Sequence, residues 1–430
     1  MTGEGKFTRQ SLILPVYLPA FLLSFGNGVV APTLSLYIKS FNLSYTMTTF
    51  VIAVSVIGNI PAGILLERIG RKPAMLIGTI VLSLSTLGIG FAHHVAELII
   101  YQLIGGIGIA LWGLSRHAYM TDVIPVEERG RSIALFGGIN RIGTFTGQVS
   151  SIFLGTSLRT PFFVYAVASI STAFLCAFFI VEIQRDIEMK HPSSSHMERL
   201  LVLLKTNYKL LTTAGIGQIC VQTIRRGRTI IIPLYASKVI GLTPQSIRFI
   251  VMFSSSVDML MFPIAGFIMD KLGRKYAMVP GFTIFASGIF ILGYANSFVF
   301  LLVAAIIIGF GNGLCSGTMM TLGADLAPST GVGEFLSMWR FIGNFGGAVG
   351  PLMVGNIADI WDLKISCLAL AGIGYTAVLI FLVMVPETSK PNNNNYSKPS
   401  NNNYSRPSNN RSSSPNKSNG GNRGGSSNRR

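Results

Sequence analysis

Twelve apolar runs, most of them about 18 to 25 residues long, follow one another along this chain. They fall at roughly 12–37, 46–66, 73–92, 95–119, 131–154, 160–181, 208–236, 244–269, 276–294, 298–325, 332–357 and 365–386. At about 1.5 Å per helical residue, such a run crosses a hydrocarbon core about 30 Å thick. A water-soluble chain would need long polar faces, yet charged residues make up only 12% of the 430 and the mean hydropathy is +0.53. Strands of a membrane barrel would alternate lipid-facing and lumen-facing residues, and these runs do not. The sequence predicts an all-α membrane protein with twelve transmembrane helices. The first run is long enough to span and shows no small-residue cleavage site, so it reads as helix 1. The four cysteines, Cys176, Cys220, Cys315 and Cys367, all fall inside predicted helices without C-x-x-C spacing, so they read as packed apolar residues.

The bases set an orientation. With both termini on one side, that side collects Lys6, Arg9, Arg68, Arg71, Lys72, Arg129, Arg131, Lys271, Arg274, Lys275, the 185–209 loop and the tail. The opposite loops keep Lys39, Arg159, Lys238 and Lys364. Short loops rich in Lys and Arg stay in the cytoplasm, so both termini are expected there, in a plasma (inner) membrane. The net charge of +17 is thus a topology signal and not a nucleic-acid footprint, and eight of its bases lie between Lys390 and Arg430. That stretch opens with "NNNYSKPS" and "NNNYSRPS", has little apolar surface to bury, and is expected to be a disordered basic tail.

One half of the chain is written twice. "GILLERIGRK" from Gly63 returns as "GFIMDKLGRK" from Gly266, an offset of 203 residues. The same offset relates Gly106 and Gly108 to Gly309 and Gly311, Asp122 to Asp325, Pro125 to Pro328, and Gly143 and Gly147 to Gly346 and Gly350. The predicted organisation is a cytoplasmic N-terminus (1–11), a six-helix bundle (12–181), a linker (182–207), a second six-helix bundle in parallel repeat (208–386) and the tail (387–430). Transporters built from such repeats place their substrate near the mid-membrane between the halves.

The duplicated phrase resembles the loop signature of the major facilitator superfamily, roughly G-x-x-x-[DE]-[RK]-x-G-R-[RK] between helices 2 and 3. It is carried by Gly63, Glu67, Arg68, Gly70, Arg71 and Lys72, and again by Gly266, Asp270, Lys271, Gly273, Arg274 and Lys275. A companion D-x-x-P…R-G-R follows helix 4 as Asp122, Pro125, Arg129, Gly130 and Arg131. Its partner after helix 10 keeps Asp325, Pro328 and Gly333 without the bases. The resemblance implies the major facilitator fold over about 12–386. It also implies a conformational latch in the outward-open state, Glu67 and Asp122 with Arg71, and Asp270 and Asp325 with Arg274, with Arg68 and Lys271 beside them. Gly70 and Gly273 would allow the tight turns at the membrane face.

Charges within a membrane are costly and mark functional positions. Arg141 lies ten residues beyond Arg131, about 15 Å deep, and Arg340 reaches a similar depth in helix 11. Helix 7 carries Arg225, Arg226 and Arg228, of which the first and last share a face. Arg116, six residues before Asp122, is expected to snorkel to the cytoplasmic side. The clear deep acid is Asp258, twelve residues or about 18 Å from Asp270, and an arginine of helix 7 could pair with it. Protonation of Asp258 would release such a partner, which is one way to couple a proton to rocking. Gln148, Asn140, Gln222, Asn312, Asn344 and Trp339 suit a cavity lining, and Asn27 is the one strong polar residue deep in helix 1.

The antiporter marks of the family are incomplete. Helix 5 reads Gly143-x-x-x-Gly147-Gln148 without the proline of G-x-x-x-G-P, and Gln102 stands where exporters carry an arginine four residues before Gly106. There is no nucleotide-binding G-x-x-x-x-G-K-[ST], and no nucleophile with its base, so neither an ATP-driven pump nor an enzyme is indicated. The resemblance implies a secondary transporter of small organic molecules working by alternating access, proton-coupled and exporter-like. The surplus of deep arginines over acids offers an alternative, an organic anion moved by uniport, symport or exchange. The expected partners are a small-molecule substrate and the bilayer, with no cofactor or metal beyond the proton, no nucleic acid, and a monomer sufficient for function.

Overall fold

Helix ends follow from the residues that punctuate the apolar runs. The computed structural model describes residues 12–180, 208–327, 332–385 and 387. The predicted N-terminus, the linker, Pro328 and the tail after Glu387 lie outside the described residues. After a π-helical turn at Ile13–Tyr17, the spans are α1 (Leu18–Lys39), α2a (Tyr45–Ile57) with α2b (Asn59–Ile69), α3 (Arg71–Phe91), α4 (Val95–Val123), α5 (Val126–Ile152) and α6 (Thr160–Phe179). The second half supplies α7 (Tyr208–Lys238), α8 (Pro244–Lys271), α9 (Arg274–Leu292), α10a (Phe298–Leu314) with α10b (Thr318–Asp325), α11 (Val332–Ile360) and α12 (Leu363–Val383). The face carrying the duplicated Gly-Arg-Lys loops is called the motif face, and its opposite the far face.

Four of the six helices that start at the far face are capped by short polar side chains. Ser44, Thr243, Ser297 and Asp362 accept from the backbone N–H groups of Met47, Ser246, Phe300 and Ile365, opening α2a, α8, α10a and α12. Each such cap contributes about 1 kcal/mol. At the motif face the chain reverses through Gly70 (φ 84°) and Gly273 (φ 118°), a backbone region nearly closed to other residues. Two predicted continuous spans are broken. Gly58 interrupts α2 where it presses on the backbone of Gly106 and Ile107 in α4, and Cys315 to Gly317 interrupt α10, with Gly317 at φ 81°. Ten of the twelve spans hold a stretch long and apolar enough to cross a membrane; α5, with Arg141 among several polar residues, and α7, with Arg225, Arg226 and Arg228, do not.

The repeat is visible in the packing. Lipid offers no hydrophobic drive between helices, so association needs close approach at small residues. Gly147 of α5 lies against the carbonyl of Phe25 in α1, and its counterpart Gly350 of α11 against that of Thr223 in α7. Gly78 and Gly108 bring α3 and α4 together as Gly281 and Gly311 bring α9 and α10a together. Each half has its own buried cluster, around Met75, Leu82, Trp112 and Phe162 in one and Phe282, Phe285, Leu370 and Phe381 in the other. Between the halves α2a packs on α11, α5 on α8 and α1 on α7, whereas α2b packs within its own half on α3 and α4.

Candidate functional site

The deep charges meet at one place. Asp258, mid-way along α8 and 9% exposed, accepts from three side chains. Arg228 Nη2 of α7 reaches Oδ2 at 3.0 Å, Asn312 Nδ2 of α10a reaches the same oxygen at 2.6 Å, and Arg141 Nη1 of α5 reaches Oδ1 at 3.3 Å. Arg225, one turn before Arg228, donates from Nε to Asn312 Oδ1 (3.1 Å) and from Nη2 to the carbonyl of Cys315 (2.8 Å). The break in α10 puts that carbonyl within reach, and Ser316 in the same break accepts from Arg141 Nη2. Phenylalanine rings lie beneath the guanidiniums: Phe262 at 4.3 Å from Arg141, Phe282 at 5.6 Å from Arg225, Phe285 at 5.4 Å from Arg228.

The cluster is electrostatically unbalanced. Two guanidiniums contact the carboxylate and a third, Arg225, reaches it through Asn312, so among the described residues the cluster has two positive charges in excess. At an effective dielectric of about 20, a pair at 4 Å is worth about 4 kcal/mol before desolvation, so one acid does not neutralise three bases. Arg141 comes from the first half and the others from the second, so the Asp258 carboxylate bridges the halves. Of the two arginines paired with Asp258, Arg141 is the more open, its side chain 29% exposed against 16% for Arg228.

Other sequence candidates lie apart from this cluster. Gln148 is buried and its Oε1 has no hydrogen-bond partner, while Asn27 is exposed on α1. Arg226 is exposed on another face of α7, with Gly347 of α11 beside it. Trp339 is buried and donates to the Met319 carbonyl, a packing contact within its half. Arg340 is exposed and interacts through space with Arg116 and His117 of the other half. Arg116 does not snorkel: it is 7% exposed, held against the rings of Trp112 (4.5 Å) and Phe136 (3.9 Å). The four cysteines are free, and the described residues hold no group of metal-ligating side chains.

The motif loops form matching ion pairs inside each half. Arg71 Nε meets Asp122 Oδ2 at 3.0 Å, and Arg274 Nε meets Asp325 Oδ2 at 3.0 Å, 203 residues on. Asp270 lies 3.7 Å from Arg274 but is 82% exposed, which leaves it little energetic weight. Arg68 and Lys271 are exposed, and Lys271 sits over the Phe267 ring. The side chains of Glu67, Arg129 and Arg131 lie outside the described set. Glu387, assigned by the sequence to the tail, instead accepts from the backbone N–H groups of Arg274 (2.8 Å) and Lys275 (2.9 Å), capping α9. An acid at a helix N-terminus complements its dipole.

A second set of bridges, absent from the sequence reading, joins the halves at the far face. Arg248, in the first turn of α8, is fully buried. It donates to Thr33 Oγ1 of α1 (3.2 Å) and to the carbonyls of Ser151 (3.0 Å), Gly155 (2.7 Å) and Ser157 (2.5 Å). Asp359, near the end of α11, accepts from the N–H groups of Tyr45 (2.8 Å) and Thr46 (2.7 Å) at the start of α2a. A cation thus meets the C-terminal end of α5 and an anion the N-terminal end of α2a, each matched to the helix dipole. The far ends of the halves are joined here while the Arg71–Asp122 and Arg274–Asp325 pairs are also formed. The sequence signal for Arg248 is a lone arginine one turn into an apolar run.

Both halves match the sequence profile of the Major Facilitator Superfamily, over residues 16–224 and again over 214–418. The chain belongs to the major facilitator superfamily. Among curated relatives it is 26% identical over 285 residues to Multidrug resistance protein 2 of Bacillus subtilis (strain 168), covering 63% of this chain and 70% of that one. It is 21% identical over 398 residues to Quinolone resistance protein NorA of Staphylococcus aureus (strain MSSA476), covering 89% and 99%. Among solved structures, a D-xylose-proton symporter superposes with a TM-score of 0.71 at 19% identity, over 88% of this chain and 98% of that chain. The nucleoside transporter NupG does so at 0.67 and 14%, over 87% and 98%. These likenesses show a shared fold. This superfamily member is a multi-pass integral membrane transporter of small molecules, built from two six-helix repeats, and not an enzyme.

Proposed function

We propose that this transporter carries small organic anions together with protons, by alternating access between its two halves. The observation that carries the reading is the single carboxylate of Asp258 among three guanidiniums at mid-membrane depth. A substrate carboxylate or phosphate would compete with Asp258 for Arg141 and Arg228, whose forked N–H groups suit such acceptors. Displacing Asp258 is cheapest when it takes up a proton. By reciprocity, a proton on Asp258 strengthens anion binding by the same factor, typically about 5- to 150-fold. Proton and anion therefore load together, which is symport. Release of Arg141 from Asp258 also unties the mid-membrane bridge between the halves, so loading and rocking share one contact. The base-rich motif face is the cytoplasmic one in this reading, with the plasma membrane as the site and one two-half chain sufficient for the cycle.

Relatives named for multidrug and quinolone resistance favour a second reading, proton-coupled export of amphipathic compounds. In antiport a cationic compound and a proton would compete for Asp258, so their binding would be mutually exclusive. Equilibrium binding separates the two. Labelled mono- and dicarboxylates should bind the purified protein more tightly as pH falls, and Asp258→Asn should bind tightly at every pH. Cationic amphiphiles that bind better as pH rises, with no carboxylate binding, would replace symport by antiport.

A further inference from the structure

A second group of cationic side chains lies nearer the motif face than the Asp258 cluster. Arg116 of α4 is six residues from Asp122, about 9 Å from that face, whereas Asp258 is about 18 Å from Asp270. Although 7% exposed, Arg116 has no carboxylate partner among the described residues, and its Nε has no hydrogen-bond partner among them. Its contacts are His117 Nε2 (2.8 Å) and the Trp112 and Phe136 rings. Ring contact engages the face of a guanidinium and leaves the N–H groups on its edge for an acceptor. Cation–π contact returns about 0.5–2 kcal/mol, less than the several kcal/mol that a buried, unpaired charge costs. The other charge acting on Arg116 makes this worse: Arg340, from α11 of the opposite half, is also a cation and is exposed.

We propose that Arg116, His117 and Arg340 form a second anion site, which takes the carboxylate or phosphate group of a small solute entering from the motif face. Arg116 and Arg340 belong to different halves and repel each other, so their approach on this side is opposed while the site is empty. An anion between them turns repulsion into attraction and favours closure of a loaded transporter over an empty one. The site is separate from the Asp258 cluster, and its failure would leave the reading of that cluster untouched.

Trp112 reports on it directly. The chain has three tryptophans, so Trp339→Phe with Trp361→Phe leaves Trp112 as the only one, beside the Arg116 guanidinium. Inorganic phosphate titrated at constant ionic strength into detergent-purified protein should change its fluorescence saturably. Loss of one charge-assisted contact should weaken that binding about 10- to 100-fold in Arg116→Gln and in Arg340→Gln. Arg141→Gln should leave it unchanged, and a loss there would assign the signal to the deeper cluster and overturn the proposal. Arg340→Gln trims an exposed side chain, so it decides the matter even if Arg116→Gln does not fold. No saturable change with phosphate, or a change that survives both substitutions, would refute the site. A shift produced by anionic-lipid nanodiscs while free phosphate produces none would make the occupant a headgroup and would equally refute it.

Discussion

At the residue scale, Asp258 carries an unequal share of the cluster's stability. Removing Arg228 leaves Asp258 still paired with Arg141, whereas removing Asp258 leaves three guanidiniums without a counter-charge. Asp258→Ala should therefore cost about 3–5 kcal/mol, and Arg228→Ala clearly less, in denaturant unfolding of the purified protein. A carboxylate substrate should rescue Asp258→Ala and not Arg228→Ala; equal costs without rescue would contradict the charge surplus. The members of this cluster were legible because a charge deep in an apolar run is rare and few reasons exist for it. Depth alone points to an arginine of helix 7 as a partner for Asp258, whereas the bridge to Arg141 depends on α5 meeting α8. For Arg116 the distance from Asp122 is readable in the sequence, but the rings that hold it inward are not.

At the scale of elements, the far-face bridges hold the two halves together through helix ends. Arg248→Ala would leave Thr33 Oγ1 and three carbonyls of the first half without their donor. Such a change should open the far face more often. A cysteine placed at Ser157 should then react several-fold faster with a membrane-impermeant maleimide in Arg248→Ala than beside native Arg248, on an order-of-magnitude scale of about 1–3 kcal/mol for lost buried contacts. Unchanged labelling would mean that the Asp359 contacts with α2a suffice alone. The caps Ser44, Thr243, Ser297 and Asp362 and the turns at Gly70 and Gly273 follow from local residue chemistry, so most helix ends could be placed from sequence to within a few residues. The breaks in α2 and α10 could not, since both lie inside unbroken apolar runs. Their cause is tertiary, a backbone crossing at Gly58 and a carbonyl recruited by Arg225 at Cys315.

At the scale of the whole molecule, the offset of 203 residues maps one half onto the other, and the same offset relates Arg71–Asp122 to Arg274–Asp325. A duplicated motif was enough to read the architecture, because two copies of one fold must repeat the glycines where their helices cross. Function is less symmetric. Asp258, Arg225 and Arg228 belong to the second half, and Arg141 and Arg116 to the first. In the proposed cycle this asymmetry puts the acid that takes up the proton on one half and Arg141 on the other, which would link movement between halves to occupancy of the site. Proton movement during anion flux tests this most directly. Proteoliposomes with a trapped pH indicator and no initial pH gradient would be given an inward gradient of a poorly permeant dicarboxylate, alongside protein-free vesicles. Symport predicts acidification of the lumen that requires the protein and disappears in Asp258→Asn, while labelled dicarboxylate still exchanges through that variant. Alkalinisation of the lumen, or anion entry with no proton movement in the native protein, would contradict the account.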